Sequence, residues 1–130
     1  MSSHAILIVN GKKHSVSDGC LAIAMLYLID AASSDLQESE QGNAEKLSGW
    51  WNDRATTGIY YLDVESELRE VEVPHVDFQR LAKAALERMS QEEGEFLNRD
   101  KCTRLTAAVG RKDETCHTPP LREILGILAG

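Results

Sequence analysis

AILIVNGKKHSVS, residues 5–17, is the stretch on which the fold turns. A β-rich run is followed by Asn10-Gly11 and then by a second run, and an Asn-Gly pair tolerates the positive φ angles of a two-residue type I′ turn. Pairing across that turn sets Val9 opposite Lys12, Leu7 opposite His14 and Ala5 opposite Val16 on one face, with Ile6 and Ile8 on the other. The first strand is apolar on both faces, so it is expected in the centre of its sheet.

Outward from the hairpin, Ser17 is placed to cap a helix running through GCLAIAMLYLIDAA to about residue 32, with Asp18 favoured in the first turn by the helix dipole. Its apolar residues surround the axis, which predicts a helix inside the domain. Residues 33–43, SSDLQESEQGN, are polar and aperiodic and read as a surface loop. Asn43 then caps a second helix in which Leu47, Trp50, Trp51 and Ala55 share a stripe, ending near Gly58.

Residues 59–64, IYYLDV, and 68–73, LREVEV, read as a second hairpin ending at Pro74. With Leu62 opposite Val71, the residues Tyr60, Leu62, Val64, Val71 and Val73 face the core. Tyr61, Asp63, Glu70 and Glu72 face water. Asp77 begins the next helix, with Val76 stapling on Leu81 and Phe78, Leu81, Ala82, Ala85, Leu86 and Met89 forming one stripe. A less regular helix over residues 96–109 closes at Gly110, and Thr118-Pro119 starts a last one with Leu121, Ile124, Leu125 and Leu128 inward. The expected architecture is a single α+β domain over residues 1–130, two β-hairpins in one antiparallel sheet packed against several helices.

Composition agrees with a globular chain: 130 residues with 42% apolar and 27% charged suffice for a core and exclude the disordered, collagen-like and disulfide-scaffold classes. The net charge is −7, and it is uneven. Residues 34–98 hold 15 acidic and 6 basic side chains, residues 1–33 balance, and residues 99–130 carry +2. Such a balance opposes direct nucleic-acid binding, which draws its affinity from lysine and arginine displacing counterions. The apolar run Cys20–Ile29 is too short to span a membrane, and Asp18 and Asp30, which bracket it, argue against an export signal. Cys20, Cys102 and Cys116 are an odd, sparse set, which suggests thiols in a reducing, cytoplasmic setting.

The standard chemical signatures are missing. No GxGxxG or GxxxxGK[ST] loop cradles phosphates, and GxSxG, HExxH, a calcium loop and paired CxxC are absent. Cys116-His117 with Cys102 and a folded-in His4, His14 or His75 has no zinc-like spacing, so small buried cysteines are the plainer reading and no metal or cofactor is expected. The one basic stretch, RDKCTRLTAAVGRK at 99–112, cannot open a helix-turn-helix, because Pro119 and Pro120 fall where the recognition helix would run. An internal charge complement suits it better.

What remains is the acidic hairpin face, where Asp63 opposite Glu70 costs stability unless a cation or basic partner offsets it. Adjacent Trp50 and Trp51 point about 100° apart on a helix, which suggests one spare indole for binding. The sequence reading is therefore a small acidic, non-enzymatic protein-binding protein, an inhibitor or adaptor covering a basic surface of a protein partner. Tyr61, Asp63, Glu70, Glu72, Trp50 and Trp51 are the partner-binding residues in that reading, and no residue is assigned a catalytic role. The alternatives are a small enzyme using Cys/His or carboxylate chemistry and a structural or metal-binding subunit. The apolar stripe of the last helix adds the expectation of a homodimer.

Overall fold

A computed structural model describes residues 4–34, 38–57, 61–108 and 115–130. The first hairpin forms as read: β1 (His4–Val9) pairs antiparallel with β2 (Lys12–Ser17) in the register Val9–Lys12, Leu7–His14, Ala5–Val16. Asn10 and Gly11 take φ of 54° and 78°, the conformation a type I′ turn demands. β1 is the central strand, and Ala5, Leu7 and Val9 are buried on the face toward the helices.

Helix α1 (Asp18–Ser34) follows at once, its first turn held by the Ser17 hydroxyl accepting from the Cys20 amide at 3.4 Å. Leu21, Ala24, Met25, Tyr27 and Leu28 are buried, on more than one side of the helix. That is why α1 packs against α2 (Glu38–Thr57), α4 (His75–Glu92), α5 (Arg99–Ala108), α6 (Thr118–Ala129) and the hairpin together. The expected loop at 33–43 is corrected here, since α2 begins at Glu38 and takes in Gly42 and Asn43. Gly58, the expected end of that helix, and Gly110, the expected stop after α5, lie outside the described residues.

The second hairpin does not exist. Tyr61–Asp63 forms a short strand, β3, that pairs parallel with β1 (Ile6–Tyr61, Leu7–Leu62, Ile8–Asp63), giving the mixed order β2-β1-β3. Residues Val64–Glu70 are helix α3 instead of a return strand. VESELRE satisfies a helical spacing as well as an alternating one, and the ends of the segment decide. Asp63 caps the start by accepting from the Ser66 amide at 3.4 Å. At the other end the amides of Val73 and Glu72 turn back to the carbonyls of Leu68 (3.0 Å) and Arg69 (3.2 Å), with Glu72 left-handed at φ 58°. This is a Schellman stop, complete with its buried apolar contact partners Val73 and Leu68.

The two amphipathic helices pack as their stripes require. Phe78, Leu81, Ala82, Ala85 and Met89 of α4 are buried, as are Leu121, Ile124, Leu125 and Leu128 of α6, and the two helices lie along one another. The last stripe is thus covered within the chain, and the dimer expected through it loses its surface. Val76 is no staple: α4 begins at His75, and Val76 is 68% exposed.

Candidate functional site

β3 and α3 form the acidic corner. Leu62 points into the core, so by alternation Tyr61 and Asp63 lie on the outer face of the sheet, in register with Ile6 and Ile8 of β1. Ile6 is 38% and Tyr61 55% exposed, an exposed apolar pair side by side on a face that also carries the buried Ile8 and the exposed Lys13 and Ser15. The Arg54 guanidinium donates to the Tyr61 carbonyl and ties the strand to α2. Val64 and Leu68 are buried, which turns Glu65, Glu67 and Glu70 away from the core.

Glu67 is the best-held of these carboxylates. Its Oε1 accepts from Trp50 Nε1 at 3.0 Å and pairs with Arg54 Nε at 2.9 Å. Burial pushes its pKa above the ordinary glutamate value; the Trp50 and Arg54 contacts oppose that shift, and repulsion from Glu70 and Asp63 adds to it. Asp63 and Glu70 thus act on one carboxylate from the two ends of a helix about 10 Å long. The expected direct opposition of Asp63 and Glu70 across a hairpin is replaced by that arrangement.

The six residues singled out in the sequence fall into three places. Tyr61 and Asp63 share the outer sheet face; Glu70 and Glu72 are exposed at the far end of α3. Trp50 and Trp51 are buried behind it at 6% and 1%, in an edge-on pair with centroids 5.5 Å apart, so neither indole is spare and that expectation is corrected. α2 can bury both because it lies against α1 while Trp50 also reaches Glu67 of α3. Ile6 was missed as a surface residue. Its in-register neighbours on β3 would have exposed it, but the parallel pairing was not legible.

Cys102 and Cys116 are joined in a disulfide with Cα atoms 6.0 Å apart, which corrects the reading of small buried thiols and removes both as free nucleophiles or metal ligands. Cys20 is the free cysteine and is half-buried. Among the described residues no group of three or more His, Cys, Asp or Glu is arranged to hold a metal ion. His117 packs against Phe96 with the rings tilted and their centroids 4.5 Å apart, and His75 pairs with Glu65 at 3.2 Å. In the basic stretch Lys101 pairs with the buried Glu93 at 2.8 Å and Arg104 with Asp30 at 2.5 Å, so these charges are complemented internally. No helix among the described residues is long and apolar enough to cross a membrane.

No family model matches the chain, and neither the curated proteins nor the solved structures contain a match to it.

Proposed function

We propose that the chain is a small acidic binding protein whose outer sheet face and α3 cover a basic surface of a protein partner, as an inhibitor or adaptor does. The observation that carries this is the exposed Ile6–Tyr61 pair lying beside Asp63 at the start of a helix that bears Glu65, Glu67 and Glu70. An apolar centre with a polar rim is the usual anatomy of a protein interface, and the excess of carboxylates in this rim over Lys13 and Arg69 favours a lysine- or arginine-rich partner. Glu72 adds to it. A glutamate occupies a left-handed position where glycine would be unstrained, and strain of that kind persists where the side chain has a use.

The test is Tyr61→Ser combined with Glu70→Lys, with Glu87→Lys on the exposed side of α4 as control. The double variant keeps its circular dichroism, loses at least tenfold in affinity for the partner recovered with the wild type, and weakens the salt dependence of association. Equal binding by wild type and double variant refutes the proposal.

A cytoplasmic setting requires Cys102 and Cys116 to persist as thiols, whereas their bond favours an oxidising compartment. Alkylation at the moment of cell lysis decides: blocked thiols support the cytoplasm, and a protected pair supports export.

A further inference from the structure

Among the described residues the outer edge of β2 pairs with no further strand. Because Val9 and Lys12 close the two-residue turn, Lys12, His14 and Val16 exchange their backbone hydrogen bonds with β1. The N–H and C=O groups of Lys13 and Ser15 and the N–H of Ser17 therefore point away from β1, and no strand of the described residues pairs on that side. Beside this edge runs a groove of about 170 Å³, lined by Ser15, Val16 and Ser17 of β2, Cys20 of α1, and Glu123 and Ile124 of α6. A strand edge flanked by a helix is a shape that accepts an extended peptide, with the main chain supplying bonds and the groove selecting side chains.

Charge names the occupant. Lys12 and Lys13 are exposed at the turn end of β2 and pair with no carboxylate among the described residues, in a chain whose net charge is −7. Edge lysines commonly serve to keep sheets apart, and in a parallel in-register pair of two β2 strands each would meet its own copy. That same pair attracts a strand bearing carboxylates at the turn end, whereas Glu123 in the groove beside Ser15–Ser17 repels a carboxylate there and confines the acidic positions of the segment to the stretch facing Lys12 and Lys13.

We propose that the outer edge of β2 is a strand-addition site for an extended acidic peptide segment, with carboxylates opposite Lys12 and Lys13 and a small apolar side chain in the groove between Val16 and Ile124. This site is separate from the acidic corner and opposite to it in charge.

The test uses the full chain and a phage-displayed library of random peptides, selected on the wild type and counter-selected on the exposed double variant Lys12→Glu, Lys13→Glu. The expected winners carry Asp or Glu at two adjacent positions, because Lys12 and Lys13 point to opposite faces of the strand. A synthetic copy of the strongest binds the double variant at least tenfold more weakly. At saturation it shifts the amide resonances of Lys13, Ser15 and Ser17 and slows their hydrogen exchange at least tenfold. Ser15→Pro, which deletes one outward N–H at an edge position where proline is tolerated, abolishes binding with circular dichroism unchanged. Should that variant fail to fold, the lysine variant and the amide map still decide. Three results overturn the proposal: no sequences enriched over the double variant, a bound peptide that moves amides elsewhere, or edge amides whose protection depends on protein concentration without peptide, which would make the occupant a second copy.

Discussion

Replacing Glu72 with glycine separates what this position does for the fold from what it does for binding. At φ 58° an L-residue crowds its Cβ against the following carbonyl, which costs about 1–2 kcal/mol. Glycine avoids that cost but loses more chain entropy on folding, about 0.5–1 kcal/mol. The Schellman bonds from Glu72 and Val73 to Arg69 and Leu68 are main-chain bonds and survive the change, as does the bond from Lys46 Nζ to the Glu72 carbonyl at 3.2 Å. The difference predicts that Glu72→Gly stabilises the protein by roughly 0.5–1 kcal/mol. With a urea slope of about 1.5 kcal/mol per molar for a chain of this size, the midpoint rises by about 0.5 M. Affinity for a basic partner falls in the same variant. A lowered urea midpoint would refute the reasoning, since it would mean that residue 72 is not held left-handed or that its carboxylate stabilises the fold.

Four further outcomes follow from the packing. Tyr27 is 1% exposed and its hydroxyl is buried with no partner among the described residues, so Tyr27→Phe stabilises by about 1 kcal/mol at neutral pH, measured by urea unfolding. The same residue sets an alkaline limit: burial first, then the charges of Glu93 and Glu92, push its pKa from 10.0 up to about 12. The unfolded chain ionises first, so wild-type stability falls as pH rises from 10 toward about 12, and Tyr27→Phe lacks that part of the loss. Asp63→Ala removes the cap of α3 and costs about 1 kcal/mol, a loss that a hairpin at this position would not show. Replacing both Cys102 and Cys116 with serine opens a loop between residues 14 apart and costs about 3 kcal/mol, read as a fall in Tm of roughly 10 °C.

Legibility in the sequence followed the range of the interactions. The Asn10-Gly11 hairpin, the buried α1 and the stripes of α4 and α6 rest on turn chemistry and periodicity within one segment, and they stand as read. The second hairpin failed because residues 61–73 carry both periodicities. The deciding facts are a parallel partner more than fifty residues away in β1 and a C-terminal stop built on Glu72, where no glycine marks it. Asp63 followed by acidic Glu65 and Glu67 is a helix-start signal that the alternation of LREVEV masks. The disulfide was hidden for a different reason, since three cysteines give no connectivity by spacing. In the proposed site the exposure of Tyr61, Glu70 and Glu72 was legible from charge and alternation, whereas the exposure of Ile6 and the anchoring of Glu67 by Trp50 and Arg54 depend on contacts between distant segments.

The most direct test of the acidic binding surface is site-specific photo-crosslinking in the native cell, with benzoylphenylalanine placed at Tyr61 and, as control, at the exposed Val76. The account predicts one dominant adduct from position 61, with a protein of basic surface, lost when salt is raised to about 0.5 M and not formed from position 76. No adduct from position 61, or the same adduct from both positions, would contradict it.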